Sequence, residues 1–518
     1  MSVILFNIKI WRYFEIEKWY KISLVHLKST SYNVYILLLM KTCIHLVNLL
    51  MDLINIGIIR RSNETVRPLP VTLFPSSFSR KLYDNAIKIQ GSINDLMHQV
   101  SQDSELIIRI HKPIIDEDPF VKNIFEIYEK VGYNKSLKIT LGMNRTDFME
   151  DSKNGETKLK QIEVNLMASS YGGMIKKVNE FHHSIMGTLG LNVVLPSAES
   201  NKIFAQALCS ALKEYSALYE QKSVTIAMIV GEYEVNEYDQ RSLENEVYKT
   251  CSGVRIIRVS FEFLSLHTNE WYLTNDQRLI IQGKEVGVVY YRHGYSPDHY
   301  INQEFWNIRY KLETSIAVSC PSVSYMLANT KITQAALSNR EIFDRYTFTE
   351  PEHKEILWAT FGRQVALSSI FGLSSDEEIH AIINEAMSSA DKFVLKPQRE
   401  GGSNNFYGDE MVKLLKETPM KHLKSYVLME RFNPSMKKNY VVNTKIKPST
   451  LLASKDSLKM PEPIQMVGEL GIYGTYLVVN DHVKINNTAG YLLRSKMHGE
   501  NEGGVTLGYS SLDTPALD

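Results

Sequence analysis

The stretch from Phe393 to Tyr407 reads FVLKPQREGGSNNFY. A lysine, an arginine, a glutamate, two adjacent glycines and two asparagines fall in one short window. Glycine has no Cβ, so backbone N–H groups there can approach a phosphate closely. Lys396 supplies a point charge for phosphate oxygens. Glu400 is a hard oxygen donor of the kind Mg²⁺ takes alongside phosphates. A generic Gly-Gly turn would be a surface turn, but this concentration of groups favours phosphate. The pattern GxxxxGK[ST] is absent, and the stretch is not a GxGxxG dinucleotide fingerprint.

Two weaker signals repeat a spacing of two, which puts side chains on one face of a strand. Arg494 and Lys496 precede the glycine-rich run Glu502-Gly-Gly-Val-Thr-Leu-Gly508, which could close as a lid over a carboxylate or phosphate. Glu163 and Asn165 pair a carboxylate with an amide, both suited to Mg²⁺. Taken singly, a surface strand explains either pair at least as well.

Positioning these groups requires an α/β scaffold. Between Ser77 and Val131, Leu82, Ala86, Ile89, Ile93, Leu96 and Val100 alternate at spacings of four and three, which predicts a helix face. Pro68, Pro70 and Pro75 make 63–75 a connector. Short strands are expected at 137–141, 161–165 (after a turn at 151–156), 392–395, 426–430 and 465–470. Apolar runs at 223–230, 255–261 and 286–291, with a helix near 240–250, predict an α/β unit over 223–327. The expected division is an extension (1–40), the first part of the main body (41–222), an inserted substrate-binding unit (223–327) and a carboxy-terminal region (328–518).

The chain has 518 residues, too many for one core, and 44% hydrophobic residues argue against wholesale disorder. Lys+Arg and Asp+Glu both number 58, so the basic excess of a general nucleic-acid binder is missing. Cys43, Cys209, Cys251 and Cys320 are scattered without a CxxC pair, which argues against a disulfide scaffold or zinc site and fits a reducing cytosol. Lys41, His45 and Asp52 interrupt the apolar segment 33–59. Leu46, Leu49, Leu50, Leu53 and Ile56 line one helical face there, which predicts a packed amphipathic helix over a membrane anchor. No secretory signal is clear, and Glu15 and Glu17 count against a mitochondrial transit peptide.

Taken together, LVNLLMDLINIGIIRR, LFPSSF, LGMNRTDFM, KQIEVNLMASSYGG, YDQRSLENE, YYRHGYSP, LANTK, FVLKPQREGGSNNFYGDEM, SYVLMERF, GELGIYG and GYLLRSK resemble the eukaryotic glutathione synthetase family of ATP-grasp ligases, over most of the chain. The resemblance implies an ATP-grasp fold, a cytoplasmic homodimer and Mg²⁺- and ATP-dependent joining of γ-glutamylcysteine to glycine through an acyl phosphate. It implies Glu163, Asn165 and Glu400 as Mg²⁺ ligands. Lys331, Lys396, Asn405 and Lys496 would hold phosphates. Pro397, Gln398, Arg399, Gly401, Gly402, Ser403 and Asn404 would form the phosphate loop, and Tyr407, Met429, Glu430, Arg431, Phe432, Glu469 and Glu502 would border the nucleotide. The peptide would lie against Arg145, Ala168, Ser169, Ser170, Glu234, Asn236, Gln240, Arg292, His293, Gly294 and Tyr295. Arg494, Val505 and Thr506 would meet the glycine end, and Arg494, Arg145 and Lys396 would be catalytic.

Several positions depart from the family pattern. His293 stands where Asp is usual, Ser403 replaces a loop glycine, Glu502 replaces Asp, and Ala168-Ser-Ser-Tyr171 replaces Ser-Ala-Ser-Phe. None removes a metal ligand or principal cation, so catalysis is expected to survive. The rivals are a ligase for another acceptor amine, such as β-alanine, and an inactive relative that binds nucleotide or peptide.

Overall fold

A computed structural model of the chain describes residues 51–63, 65–132, 138–369, 375–400, 402, 404–442 and 463–518. The extension 1–40 and most of the amphipathic segment expected before residue 51 lie outside these. At the described end of that segment, residues 51–56 are helical, Leu53 is fully buried, and Asp52 and Asn55 are exposed, as the predicted face requires. Among the described residues no helix is long and apolar enough to cross a membrane.

An eight-stranded sheet forms the body. Its path runs Val441–Val442, Val71–Thr72, Ser510–Asp513, His482–Met497, Ile464–Val479, Ile139–Lys153 and Glu156–Asn165, with Met436–Asn439 against Ile464–Val479. Two long antiparallel hairpins make its centre. Asn480 and Asp481 (φ 47° and 63°) turn one, and Asn154 and Gly155 (φ 53° and 80°) turn the other. Positive φ at both turn residues matches the twist of the flanking strands. The helix Arg80–Gln102 packs on this sheet with all six residues of its predicted face buried.

Several sequence expectations are corrected. The strand expected at 137–141 runs to Lys153, and the one expected at 465–470 runs to Val479. Both continue through polar residues and glycines that are buried at the site. The helical stretch 77–131 divides into three helices, because Asp103 caps Ser104–His111 and Asp118 caps Pro119–Val131. The connector 63–75 contains the short strands Thr65–Pro68 and Val71–Thr72. Cys209 and Cys251 form a disulfide, 42 residues apart in sequence, between the helix Ser200–Leu218 and the end of Glu237–Thr250. Sequence spacing could not show that these two helices pack together. Cys320 is free and buried.

A second, six-stranded sheet contains the strands expected over 223–327. Val224–Ile229 lies between Ile257–Val259 and Lys284–Tyr291, and Val318–Cys320 pairs parallel to the latter. Along the sheet these parallel strands run second, first, third, fourth. The crevice at such a reversal lies beyond the carboxyl ends of the first and third strands, here Gly231–Asn236 and Arg292–Tyr295. A three-stranded antiparallel sheet, Gln364–Ala366, Val427–Glu430 and Phe393–Lys396, carries Lys396 at the end of its last strand. It packs its own apolar cluster, including Leu395, Leu428 and Ile382, under the helices Asp376–Ser388 and Gly408–Glu417.

Candidate active site

The three sheets converge on one cleft of about 720 Å³. Of the residues singled out in the sequence, it is lined by Arg145, Glu163, Asn165, Ala168, Ser169, Ser170, Glu234, Asn236, His293, Tyr295, Lys331, Lys396, Arg399, Glu400, Gly402, Asn404, Asn405, Tyr407, Met429, Glu430, Arg431, Phe432, Glu469, Arg494, Lys496, Glu502, Val505 and Thr506. Gln240, Arg292, Gly294, Pro397 and Gln398 do not line it. Gln398 bonds the Ile332 N–H and the Ser425 carbonyl, so it joins the phosphate-loop candidate to the helix behind. Gly401 and Ser403 lie outside the described residues.

At one end an ammonium sits between two carboxylates. Lys331 Nζ lies 3.1 Å from Glu163 Oε2 and 2.7 Å from Glu400 Oε1. Burial pushes the Glu400 carboxyl up to about 7, against the pull of Lys331. Burial opposes ionisation of Glu163 as well, but Lys331 and Lys396 hold its carboxyl below the usual range. Lys396 is itself lowered by burial. The Asn165 amide nitrogen donates to Asp147 Oδ2 at 3.0 Å, so its oxygen is the atom left for a cation. Two carboxylates already gathered around a positive charge, with an amide oxygen on the same strand face as Glu163, fit Mg²⁺. Among the described residues no group of three or more His, Cys, Asp or Glu is placed to hold a metal.

The middle of the cleft is a chain of ion pairs. Arg145 meets Asp147 in a two-pronged contact, Nε to Oδ1 at 2.6 Å and Nη2 to Oδ2 at 2.7 Å. Arg494 Nη2 bridges Asp147 Oδ2 (3.1 Å) and Glu469 Oε2 (2.9 Å), and Lys496 Nζ reaches Glu469 Oε1 (2.9 Å). Arg494 and Lys496 do share a strand face, as their spacing predicted. Gly471 makes the approach possible, since a Cβ there would stand 2.6 Å from Arg145 Cδ. Glycine at 503 does the same for the loop above, where a Cβ would stand 2.8 Å from Glu469 Oε2. Asn501 ties that loop down by accepting from Arg431 Nη2 through its side chain and from Lys496 Nζ through its carbonyl.

The other end is a backbone turn held by charged and polar side chains. The turn Ala168–Tyr171 holds two residues at positive φ, Ala168 at 52° and Tyr171 at 73°. Asp239 accepts from the Tyr171 and Gly173 N–H groups. Arg292, buried behind the turn, donates to the Ser169 carbonyl and to Ser170 Oγ. Tyr473 donates to the Ser170 carbonyl, and Asn236 donates to Ser170 Oγ. Glu234 accepts from the Gly231 N–H, and burial raises its carboxyl above the usual range.

Sequence reasoning passed over Asp147, Asp239, Tyr473, Asn501 and His299. Asp147 was within reach, because it stands two residues after Arg145 on one strand. The others needed the tertiary fold. Arg399, placed in the phosphate loop by the resemblance, is paired with Asp118 at 2.6 Å.

Known proteins resemble this chain over most of its length. Residues 47–517 match the family model of the eukaryotic glutathione synthase ATP-binding domain. The glutathione synthetase of Bos taurus is 33% identical, with 88% of this chain and 91% of that one covered. The chloroplastic glutathione synthetase of Solanum lycopersicum is 32% identical, covering 86% and 77%. A glutathione synthetase-like effector from Globodera pallida, solved in its apo form, shares the fold with a TM-score of 0.70 at 18% identity, over 91% of this chain and 96% of that chain. The chain thus belongs to the eukaryotic glutathione synthase family and has its ATP-grasp α/β fold.

Proposed function

We propose that the chain is an ATP-dependent carboxylate–amine ligase that joins γ-glutamylcysteine to glycine, giving glutathione, ADP and phosphate. The observation that carries this reading is one continuous cleft. It runs from the Lys331–Glu163–Glu400 cluster, past Arg494, to the Ser169–Glu234 wall. A nucleotide triphosphate and a dipeptide can therefore meet end to end at a line of cations.

Lys331, Lys396 and Lys496 hold the phosphates, with Met429 and Phe432 against the base. Glu163, Asn165 and Glu400 would hold Mg²⁺, which would supply charge compensation for the phosphate oxygens. The donor's γ-glutamyl end rests on Ser169, Ser170, Asn236 and Glu234, and its cysteinyl carboxylate points towards Arg145 and Arg494. Phosphorylation of that carboxylate turns a poor acyl donor into an acyl phosphate. Attack by the glycine amine then passes through a tetrahedral intermediate whose oxyanion Arg494 stabilises. The residues contribute position and charge. The loop carrying Glu502 to Thr506 excludes water from the acyl phosphate. We place the sheet over 223–327 as an inserted substrate-binding unit, and infer a cytoplasmic homodimer by analogy with the family.

The test compares kcat/KM for glycine and β-alanine, with the product identified by mass. One methylene is worth about 1–3 kcal/mol of discrimination, so glycine should lead by roughly tenfold or more. A preference for β-alanine would reassign the acceptor, and ADP-coupled product with neither amine would overturn the reading.

A further inference from the structure

The turn end of the cleft contains a feature that the ligase reading does not use. His293 and His299 stack face to face, with ring centroids 3.7 Å apart and planes 19° from parallel. Tyr295 meets His299 edge-on at 4.5 Å, and Phe261 flanks His293 at 6.1 Å. His299 Nδ1 accepts from the Gly294 N–H at 3.0 Å, which places its proton on Nε2. The Tyr300 hydroxyl donates to the Gly294 carbonyl at 3.1 Å and closes the same loop. Both imidazoles, with Tyr295, line the cleft.

Burial drives both rings towards the neutral form, and His293 lowers His299 further. Asp239, the other buried carboxylate nearby, is committed to two backbone N–H groups and lies 3.8 Å from Arg292. Glu234 is left as the carboxylate of this cluster that lines the cleft. One of its oxygens is already engaged by the Gly231 N–H. Glu234 and Gly231 also line a second cavity, of about 250 Å³, together with Arg61, Arg258, Ser260 and Phe263. The wall behind the donor's amino end is therefore thin, and the face beside it is aromatic.

We infer that the stacked His293–His299 pair sets donor selectivity, and that the protein accepts thiol dipeptides whose amino end is uncharged alongside γ-glutamylcysteine. This rests on the ligase reading and concerns the donor end of the same cleft. A site that holds an ammonium with paired, buried acceptors rejects an analogue lacking it by about 10⁴–10⁵-fold. Here one partly engaged carboxylate and two neutral rings face that position, so rejection is weak.

The probe is glutarylcysteine, which is γ-glutamylcysteine without its α-amine. With the full-length chain, Mg-ATP and glycine, kcat/KM for glutarylcysteine should fall short of that for γ-glutamylcysteine by less than about tenfold. His293→Asp adds a second carboxylate and should widen the gap to about fiftyfold or more, carried by the donor KM. Rejection of glutarylcysteine by the unaltered protein beyond about a hundredfold would overturn the inference, as would an unchanged ratio in His293→Asp. Calorimetric titration of the unaltered protein with each donor gives a readout independent of folding in the variant. If both donors bind comparably without turnover, the ligase reading fails while this inference stands. If only γ-glutamylcysteine binds, this inference fails alone.

Discussion

The two ends of the cleft are held open by different physics. At the end assigned to the nucleotide and continuing through the middle, charges are arranged in advance and neutralise one another: Lys331 between Glu163 and Glu400, then Lys496, Glu469, Arg494, Asp147 and Arg145 in sequence. At the donor end Arg292, Asp239, Tyr473 and Asn236 spend their hydrogen bonds on the backbone and hydroxyl of the turn Ala168–Tyr171. A charged substrate arriving at the first end exchanges one set of ion pairs for another, and little charge is left bare in either state. At the second end, fit is decided by turn geometry. Errors should therefore cost turnover at one end and donor affinity at the other.

The largest effect is expected from Glu400→Gln, which removes charge from a proposed Mg²⁺ ligand and leaves Lys331 with one carboxylate. Loss of one such preorganised group costs about 10²–10³-fold in kcat, read by ADP release at saturating Mg²⁺. Unaltered turnover there would refute its role. Asp147→Asn strands Arg145 and weakens the hold on Arg494. Breaking a buried pair costs about 3–5 kcal/mol, visible in urea unfolding, and the donor KM should rise through Arg145 and Arg494 while the ATP KM changes little if the two ends are separable. Tyr473→Phe removes one hydrogen bond to the Ser170 carbonyl, worth about 0.5–1.5 kcal/mol. The donor KM should rise by roughly threefold to tenfold, while the ATP KM stays put. A matched rise in both would merge the two ends into one.

The smallest effect is a pH slope in stability. His293 is held at about 4 in the fold against 6.5 for a free imidazole, and His299 lower still at about 3. The unfolded chain therefore takes up protons first. Stability is complete above about 6.5 and falls as pH drops from there towards about 3. Urea titrations at stepped pH should show that fall, and replacing both histidines by Asn should make it shallower, with buried His98, His111 and His182 supplying the rest.

Part of the charged site was legible from spacing, while Arg145, Glu234, Lys331 and Glu469 came only from the family resemblance. Glu163 with Asn165, and Arg494 with Lys496, needed only the period of a strand, and Lys396, Arg399 and Glu400 lay in one window. The strands carrying them were cut short in the sequence reading for the same reason that they work. Asn144, Arg145, Thr146 and Asp147 are buried polar residues, and Gly471 interrupts an apolar run so that Arg145 can pass. The donor end was less legible. Asp239 and Tyr473 come from distant segments and act on backbone atoms, which leave no mark on side-chain patterning. His293 was noticed as a departure, but its partner His299 became visible only when the loop closed. The Cys209–Cys251 pair was misread for the same reason: proximity of two helices is a tertiary fact.

The central claim is that both ends of one cleft serve a single reaction. It is tested most directly by ADP release from the full-length chain with Mg-ATP, γ-glutamylcysteine and glycine, each omitted in turn. The account predicts that ADP forms at full rate only when all three are present, matched mole for mole by glutathione. Tight nucleotide binding with no ADP in the complete mixture would contradict it, as would ADP release indifferent to the two amino-acid substrates.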